Sequence, residues 1–487
     1  MANLSWLDWV FFIGYLGIVF AIGWWFARQQ QSNDDYFLGG RRLNWLPVGL
    51  SLFATSFSSL SFVGLPREAA YADYHLLLAI LFIPLVVTPI VCIWFIPLYH
   101  RLGLTSAYEY LEKRFSREIR LLASTLYIVH HIGWMGSVLF AVAVILQVVL
   151  GLDETGMRRL LVAVGVFATF YTAIGGVKAV IWTDVLQAVA LGSSMTAVLW
   201  LTTARVAGGW LGVWDLAQAH DKMRMFDFQF DLTQRGNFFA ACAFGFFVYL
   251  AAHTVSLTAV QRYVSVPTVT AARWSLVVNG VMVAVVCGLF FLVGTAVFAF
   301  YHQPAATGFP TVARQDQLLP YFILTELPGF GLTGLLVAGL FAAAMSSLDS
   351  GLNTLTMSVV CDWLDDRCLG VGLSRALCVL FGAATIAAAL AVPVLGETVF
   401  DVIIKISGTF FGLLLGVFLL GMLIPGAGTT AVWVGVAAGI LSLFGVWTLT
   451  SVSHWWYGAV SCLPTFLAGG GYALWRPRNW IARRNAW

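Results

Sequence analysis

Apolar runs of about 20 residues recur along nearly the whole chain, with short polar segments between them. A run of this length spans the hydrocarbon core of a bilayer as an α-helix. We therefore expect an all-α polytopic membrane protein whose residues 1–487 form a single transmembrane domain. The pattern predicts thirteen spans, which begin near Val10, Pro47, Leu76, Ile119, Leu160, Val180, Phe238, Trp274, Leu332, Leu377, Val402, Ala431 and Trp456.

Two of these runs contain polar residues where a helix in lipid is normally apolar. They are FATSFSSLSFVG, from Phe53 to Gly64, and LFAAAMSSLDSGLNT, from Leu340 to Thr354. An aspartate at mid-membrane costs roughly 2.5–3.5 kcal/mol on insertion scales, so a partner, water or a bound cation is expected to compensate it. In the second run, four polar residues are spaced i, i+3, i+4 and i+7 on one helical face, which predicts a cation site: Ser346, Asp349, Ser350 and Asn353.

Composition agrees with the membrane class, since 60% of residues are hydrophobic, 10% are charged and the mean hydropathy is +0.87. Lys and Arg fall about twice as often on one side of the predicted spans as on the other. This bias predicts a cytoplasmic C-terminus and an external N-terminus in the plasma or inner membrane. The net charge of +3 follows this sidedness, so no nucleic-acid partner is expected. The sequence contains no HExxH motif, no GxSxG motif with His and Asp in a plausible arrangement and no Gly-rich phosphate loop, so we do not expect an enzyme.

Five segments, in this order, resemble the sodium/solute symporter family: DYFLGGRRLNWLPVGLSLFATSFSS, LGLTSAYEYLEKRF, YTAIGGVKAVIWTDVLQ, VQRYV and GLFAAAMSSLDSGLN. That family includes carriers of sugars, proline, iodide, sialic acid, monocarboxylates and vitamins. The segments of this chain are most similar to those of the monocarboxylate, vitamin and iodide branch. The resemblance implies a LeuT-type inverted repeat of five plus five helices, with one extra N-terminal and two extra C-terminal helices.

The implied organisation divides the chain into four parts. They are a peripheral first helix and cytoplasmic loop (10–45), a first repeat (46–204), a second repeat (238–424), and two C-terminal helices with a basic cytoplasmic tail (431–487).

The resemblance also implies a sodium site of three backbone carbonyls and two hydroxyls. Residue by residue, the carbonyls map to Ala54, Phe57 and Ala343, and the hydroxyls to Ser346 and Ser347. Neutral oxygen ligands suit a hard cation such as Na⁺, which is the one metal ion expected. An isolated membrane serine more often serves packing or bonds back to its own helix, but the family pattern favours the sodium interpretation.

Some relatives bind a second sodium ion, so the resemblance implies one or two sodium ions. The matching residues here are Asp184, Ser346, Asp349 and Ser350. Asp349 stands where the relatives have Ser or Thr, and two carboxylates could bind one ion tightly, or one could stay protonated and relay a proton. Alternatively, Asp184 forms a salt bridge with Lys178 or another neighbour.

Substrate-binding candidates follow from the family geometry. His130 and His131 are adjacent and cannot share a helical face, so we expect at most one to line the cavity. Trp134 stands where the sialate carriers have an arginine, which argues against sialic acid. Lys405 either holds a substrate carboxylate or is neutralised by Asp401, one turn earlier. The candidates are Thr55, Ser58, Ser61, His131, Trp134, Tyr249, His253 and Lys405.

These features predict sodium-coupled symport of a small organic anion or vitamin-like carboxylate by alternating access. The expected partners are the solute, sodium ions and the lipid bilayer, and a monomer suffices. Alternatives are a sodium-coupled sugar or polyol symporter, and a proton-coupled carrier or solute sensor that uses the same fold. Accumulation of a solute against its gradient distinguishes a carrier from a sensor.

Overall fold

The computed structural model describes residues 6–475, except 28–31, 305, 307, 313–314, 328–330, 365–369 and 396–398. In these described residues the regular structure is helical throughout, as expected for an all-α membrane protein. The α-helices are α1 (Trp6–Ala27), α2 (Asn33–Leu38), α3 (Trp45–Ser56), α4 (Ser59–Tyr71), α5 (His75–Phe82), α6 (Thr88–Ile90), α7 (Ile96–Arg101), α8 (Ala107–Arg114), α9 (Arg117–Leu150), α10 (Glu154–Thr203), α11 (Gly209–Ala219), α12 (Phe238–Thr254), α13 (Leu257–Ser265), α14 (Val269–His302), α15 (Leu318–Glu326), α16 (Leu332–Ser358), α17 (Val371–Ala391), α18 (Val399–Leu423), α19 (Thr429–Leu449) and α20 (Tyr457–Trp475).

Helices α5, α6 and α7 form one continuous span because two π-helical turns, Ile83–Val87 and Val91–Phe95, join them. Pro84 lies in the first turn of the first π-helical segment, Pro89 in that of α6 and Pro97 in that of α7. Proline lacks a backbone N–H and its ring clashes with the carbonyl four residues earlier. Three of the four changes of helix type along this span therefore coincide with a proline.

Nine described helices are long and apolar enough to cross a membrane, or up to eleven if each bent helix pair counts as one span. The bent pairs are α3 with α4, at 64°, and α12 with α13, at 51°. Helix α10 contains two of the thirteen predicted spans, and α20 is not among the helices that meet this criterion. The number thirteen therefore stays a prediction.

Helix α10 has 50 residues, which at 1.5 Å per residue gives a length of about 75 Å, far more than the roughly 30 Å hydrocarbon core. Gly176 interrupts it with φ 60° and ψ −176°, a conformation that is essentially restricted to glycine. The chain thereby changes direction without a loop between the two predicted spans.

Helix α16 forms the centre of the bundle, where it packs against α1, α9 and α10. In the most apolar stretch of α16, 94% of the residues are buried, compared with 17% for α1, and the peripheral first helix stays a prediction. The two longest segments that the sequence predicts to be external are 205–237 and 301–332, and they contain the short helices α11 and α15 respectively. The break between α3 and α4 faces α16, and the candidate site is built there.

Candidate functional site

The break between α3 and α4 is held to α16 by two serine hydroxyls. Ser346 Oγ donates to the Ala54 carbonyl at 2.8 Å, and Ser347 Oγ donates to the Thr55 carbonyl at 3.2 Å. Both hydroxyls also lie within reach of the Ala343 carbonyl, at 3.1 and 3.4 Å. The structure thus brings together the predicted oxygens of Ala54, Ala343 and the two serines, while Phe57 lies at the break itself. Neutral oxygens at this density suit Na⁺.

A buried ion pair lies next to these serine hydroxyls. Asp184 Oδ2 accepts a hydrogen bond from Ser51 Oγ at 2.5 Å and lies 3.6 Å from Arg262 Nη2. The same guanidinium donates to Ser350 Oγ at 2.5 Å. The contact between the two charged groups shows that Arg262, rather than Lys178, neutralises Asp184. Both charged side chains are fully buried. Arg262 belongs to the VQRYV segment, which offered the only signal for it in the sequence.

The four polar residues of the α16 face are all buried, but they have different partners. Ser350 contacts Thr55 Oγ1 at 2.8 Å, and Asn353 Oδ1 accepts from Gln261 Nε2 at 2.7 Å. Asp349 instead contacts Thr172 Oγ1 on α10 at 2.9 Å. The sequence predicted one second-ion cage from these residues, whereas the structure separates the Asp349 contact from the cluster around Asp184 and Ser350.

A cavity of about 220 Å³ lies beside the helix break, with walls from α3, α4, α9, α12, α13, α14 and α18. Its lining within the described residues has no Asp or Glu side chain. Arg262 contributes a positive charge to the lining, while its partner Asp184 lies outside the lining. Seven of the predicted substrate residues line it: Thr55, Ser58, Ser61, His131, Trp134, Tyr249 and His253.

The eighth predicted residue, Lys405, is half-buried on α18. The described lining of the cavity takes Ile403, Ile404 and Ser407 from that helix, and Lys405 is not part of it. The side chain of Asp401 lies outside the described residues, so the predicted choice between a substrate contact and this carboxylate stays open.

Both adjacent histidines of α9 line the cavity, so the expectation of at most one was wrong. Successive helical residues differ by about 100° in direction, which a cavity can accommodate when it extends along two neighbouring faces of a helix. His130 Nε2 lies 3.2 Å from Ser407 Oγ on α18, and His131 Nε2 lies 3.4 Å from Thr258 Oγ1 on α13. Each ring therefore faces a different wall of the cavity.

The third histidine, His253, has both ring nitrogens engaged within the protein. Its Nδ1 lies 2.9 Å from the Tyr249 carbonyl, which can only accept, so Nδ1 carries the hydrogen. Its Nε2 then accepts from Asn279 Nδ2 at 3.2 Å. The ring borders the cavity, but it joins α12 to α14 rather than offering a nitrogen to a solute.

Ion pairs lie toward both ends of the bundle. At the end of α4, Arg67 pairs with Glu68 at 2.7 Å and with Asp316 at 3.3 Å, and Glu68 lies 3.5 Å from Arg235. These contacts connect α4 to two of the predicted external segments. At the opposite end, Arg120 of α9 pairs with Asp362 at 2.9 Å, next to the last turn of α16.

A broken helix held by hydroxyls against a buried polar helix, beside a cavity between helices, is the architecture of an ion-coupled membrane transporter. Residues 36–439 match the model of the sodium:solute symporter family, and the chain belongs to that family. It is a sodium-coupled solute symporter and not an enzyme, and Na⁺ and a small solute are its transported substrates.

Similar proteins cover most of the chain. It is 30% identical to the sodium/sialic acid symporter NanT of Aliivibrio fischeri, over 95% of this chain and 92% of that protein. It is 36% identical to the human sodium/iodide cotransporter, over 85% of this chain and 65% of that protein. The human sodium-coupled monocarboxylate transporter 1 is 33% identical, over 89% and 72% of the two chains.

Among solved structures, a substrate-bound, outward-open Na⁺-coupled sialic acid symporter superposes with a TM-score of 0.88 at 27% identity. The match covers 97% of this chain and 98% of that one. A nucleobase-cation symporter, Mhp1, matches with a TM-score of 0.58 at 13% identity, which indicates a shared fold alone.

Proposed function

We propose that this symporter carries a small organic anion together with Na⁺. The observation that carries the proposal is the charge of the cavity lining, whose described residues include three histidines and Arg262, the cation of the buried pair with Asp184, but no carboxylate. An anion entering this space therefore meets no like charge from the lining. The relatives named above are described as carriers of sialic acid, iodide and monocarboxylates, which are all anions.

The size and polarity of the cavity narrow the proposed solutes to small monocarboxylates and vitamin-like carboxylates. A cavity of about 220 Å³ is smaller than the roughly 300–1,000 Å³ of pockets that bind drug-sized ligands. Its walls include Phe57, Trp134, Phe244 and Phe411, which leave much of a solute in apolar contact. A sugar or sialic acid requires many aligned hydrogen bonds, which an apolar wall does not supply.

Thr55 supports coupling between ion and solute because it belongs to both sites. Its carbonyl accepts from Ser347, while its side chain lines the cavity. Na⁺ at the oxygens of Ala54, Phe57, Ala343, Ser346 and Ser347 would brace the broken helix against α16 and so shape the cavity wall. Such coupling is reciprocal, so bound solute should tighten sodium binding by the same factor.

We propose one sodium ion at this cluster. The alternative second site combined Asp184, Ser346, Asp349 and Ser350, but Arg262 already balances the charge of Asp184 and bonds to Ser350. A cation placed between these groups would have to displace the guanidinium. Sodium flux measured against solute flux in the same vesicles counts the ions, and a ratio of two would contradict a single site.

Alternating access would use the two inverted repeats, 46–204 and 238–424, flanked by 10–45 and 431–487. The ion pairs of Arg67 and Arg120 lie toward opposite ends of the bundle, where gates would open and close. We propose that the N-terminus is external and the C-terminus cytoplasmic. Labelling of single introduced cysteines by a membrane-impermeant reagent tests this orientation.

Uptake into proteoliposomes tests the proposed function. The labelled probes are pyruvate, nicotinate, iodide, N-acetylneuraminate and glucose, each with an inward gradient of sodium or of choline. We expect pyruvate and nicotinate to accumulate in the sodium gradient alone, and to leak out after a sodium ionophore is added, whereas N-acetylneuraminate should not accumulate. Concentrative uptake of glucose but not of the carboxylates would instead support a sugar symporter. Binding without accumulation of any probe would support a sensor.

A further inference from the structure

His131 is held in one orientation inside the cavity wall. Its ring stacks on Tyr127, with centroids 4.7 Å apart, and lies 5.2 Å from the ring of Trp134. Its Nε2 lies 3.4 Å from Thr258 Oγ1, and the ring is only 4% exposed. On α16, Gly351 faces the ring, and a Cβ there would lie 3.1 Å from the His131 Cδ2. The position of each ring nitrogen is therefore defined.

A chain of three hydroxyls determines which nitrogen of His131 carries the hydrogen. It begins at Thr354, whose Oγ1 lies 2.9 Å from the Ser350 carbonyl, a group that can only accept. Thr354 therefore uses its one hydrogen there, and the 2.7 Å contact with the Tyr127 hydroxyl must be donated by Tyr127. Thr258 in turn donates to Tyr127, across a further contact of 2.7 Å. The longer contact of 3.2 Å between Thr258 Oγ1 and Thr354 Oγ1 then carries no hydrogen, because the two shorter contacts use both remaining hydrogens.

Thr258 then has no hydrogen left for His131. The contact between them requires His131 Nε2–H as the donor. A neutral imidazole carries one N–H, so the other nitrogen, Nδ1, is an acceptor. This Nδ1 is buried and has no hydrogen-bond partner among the described residues.

We infer that His131 Nδ1 accepts a hydrogen bond from a hydroxyl or N–H group of the solute, so that the cavity prefers a hydroxylated or amino-substituted carboxylate to a plain one. The inference rests on the proposed function and specifies which small anion the cavity selects. A solute without the donor leaves Nδ1 unpaired in a buried site, which corresponds to about ten- to hundredfold weaker binding.

The same chain of hydroxyls connects the solute to the ion-binding helix. Thr354 and the Ser350 carbonyl belong to α16, which also carries Ser346 and Ser347. A hydrogen bond received by His131 therefore acts on a ring that α9, α13 and α16 hold jointly. This arrangement makes His131 a specificity residue whose orientation depends on the position of α16.

A matched series of three-carbon acids tests the inference. Lactate has a hydroxyl next to its carboxylate, pyruvate has a carbonyl in its place, and propionate has neither. Affinities are measured as inhibition constants for sodium-driven uptake of labelled lactate, and as sodium-dependent thermal shifts of the purified protein. We expect wild-type protein to prefer lactate over both other acids by about tenfold or more.

Variants of His131 separate hydrogen bonding from packing. His131→Phe preserves a ring for the stack but removes both nitrogens. Lactate should then bind with about the same affinity as pyruvate and propionate. His131→Asn, whose side-chain oxygen lies near the place of Nδ1, should restore part of the preference. Thr125→Ala on the exposed side of α9 is the matched control, since its hydroxyl bonds to the Leu121 carbonyl of its own helix.

The outcomes are distinguishable. Sodium-driven uptake with equal affinities for the three acids in wild-type protein would overturn the role of His131 and leave the proposed function intact, and the same holds for a preference that His131→Phe preserves. Absence of sodium-driven transport of every carboxylate would overturn the proposed function and this inference with it. The wild-type series is decisive even if a variant fails to fold.

Discussion

Arg262 of α13 and Asp184 of α10 form an ion pair of 3.6 Å in which neither side chain is exposed. Hydroxyls surround the pair, since Ser51 donates to the carboxylate and Ser350 accepts from the guanidinium. In this way α3, α10, α13 and α16 meet at a single polar cluster inside an apolar bundle. The cluster lies next to the serine hydroxyls of the candidate sodium site, on the same helices.

Removing one member of this pair should destabilise the protein strongly, because the remaining charge is left buried without compensation. We expect Asp184→Asn or Arg262→Gln to lower the free energy of unfolding by about 3–5 kcal/mol. Thermal unfolding in detergent measures the effect. The double variant should lose less than the sum of the single variants, and strictly additive losses would show that the two charges do not interact.

Ser346→Ala and Ser347→Ala should each weaken sodium binding about ten- to hundredfold, because each removes an oxygen ligand from the cluster. The sodium concentration that gives half-maximal uptake, or half-maximal thermal stabilisation, measures the change. Ser193→Ala is the matched control, since this exposed serine bonds only within its own helix. If both variants retain the wild-type sodium dependence, the sodium site lies elsewhere.

Gly176→Ala should destabilise the protein by about 1–3 kcal/mol, because a Cβ is strained at φ 60° and ψ −176°. Gly192→Ala is the control on the same helix, where an added Cβ meets no atom within 4 Å. Helix propensity predicts that this control is neutral or stabilising by up to about 1 kcal/mol. Equal unfolding temperatures of the two variants would contradict the assigned backbone conformation.

Asp8→Ala should detach the first helix from the start of α16. Asp8 is buried, and its Oδ1 accepts from the backbone N–H of Gly334 at 2.7 Å, which caps α16 from a different helix. Loss of an N-terminal cap costs about 0.5–2 kcal/mol, and Asp8→Asn, which keeps an acceptor, should lose less. Thermal unfolding compares them with Asp215→Ala, on an exposed face of α11. A variant Asp8→Ala as stable as wild type would exclude this capping role.

Periodicity predicted what depends on local spacing. The polar face of α16 follows directly from residues at i, i+3, i+4 and i+7, and all four side chains are buried as expected. Partners could not be predicted in this way. Asp184 and Arg262 are 78 positions apart in the chain, and Asp349 bonds to Thr172 on α10, so their pairing depends on how helices pack.

The two histidines show a second limit of sequence reasoning. The rule that adjacent residues occupy different helical faces was correct, because His130 and His131 contact different helices. It did not predict a cavity that extends along both faces. The shape of an internal space is a property of several helices together, and no single run of sequence contains it.

The serine hydroxyls at the helix break also bear on the step of the transport cycle in which the empty carrier changes conformation. A carrier that has released its load must reorient unloaded, and carbonyls exposed at a broken helix inside a bilayer would each cost several kcal/mol without a donor. Ser346 and Ser347 supply that donor to Ala54 and Thr55 from within the protein. The same two side chains that would hold the ion thus keep the carbonyls of the break hydrogen-bonded when no ion is bound, and we expect their loss to slow turnover even at saturating sodium.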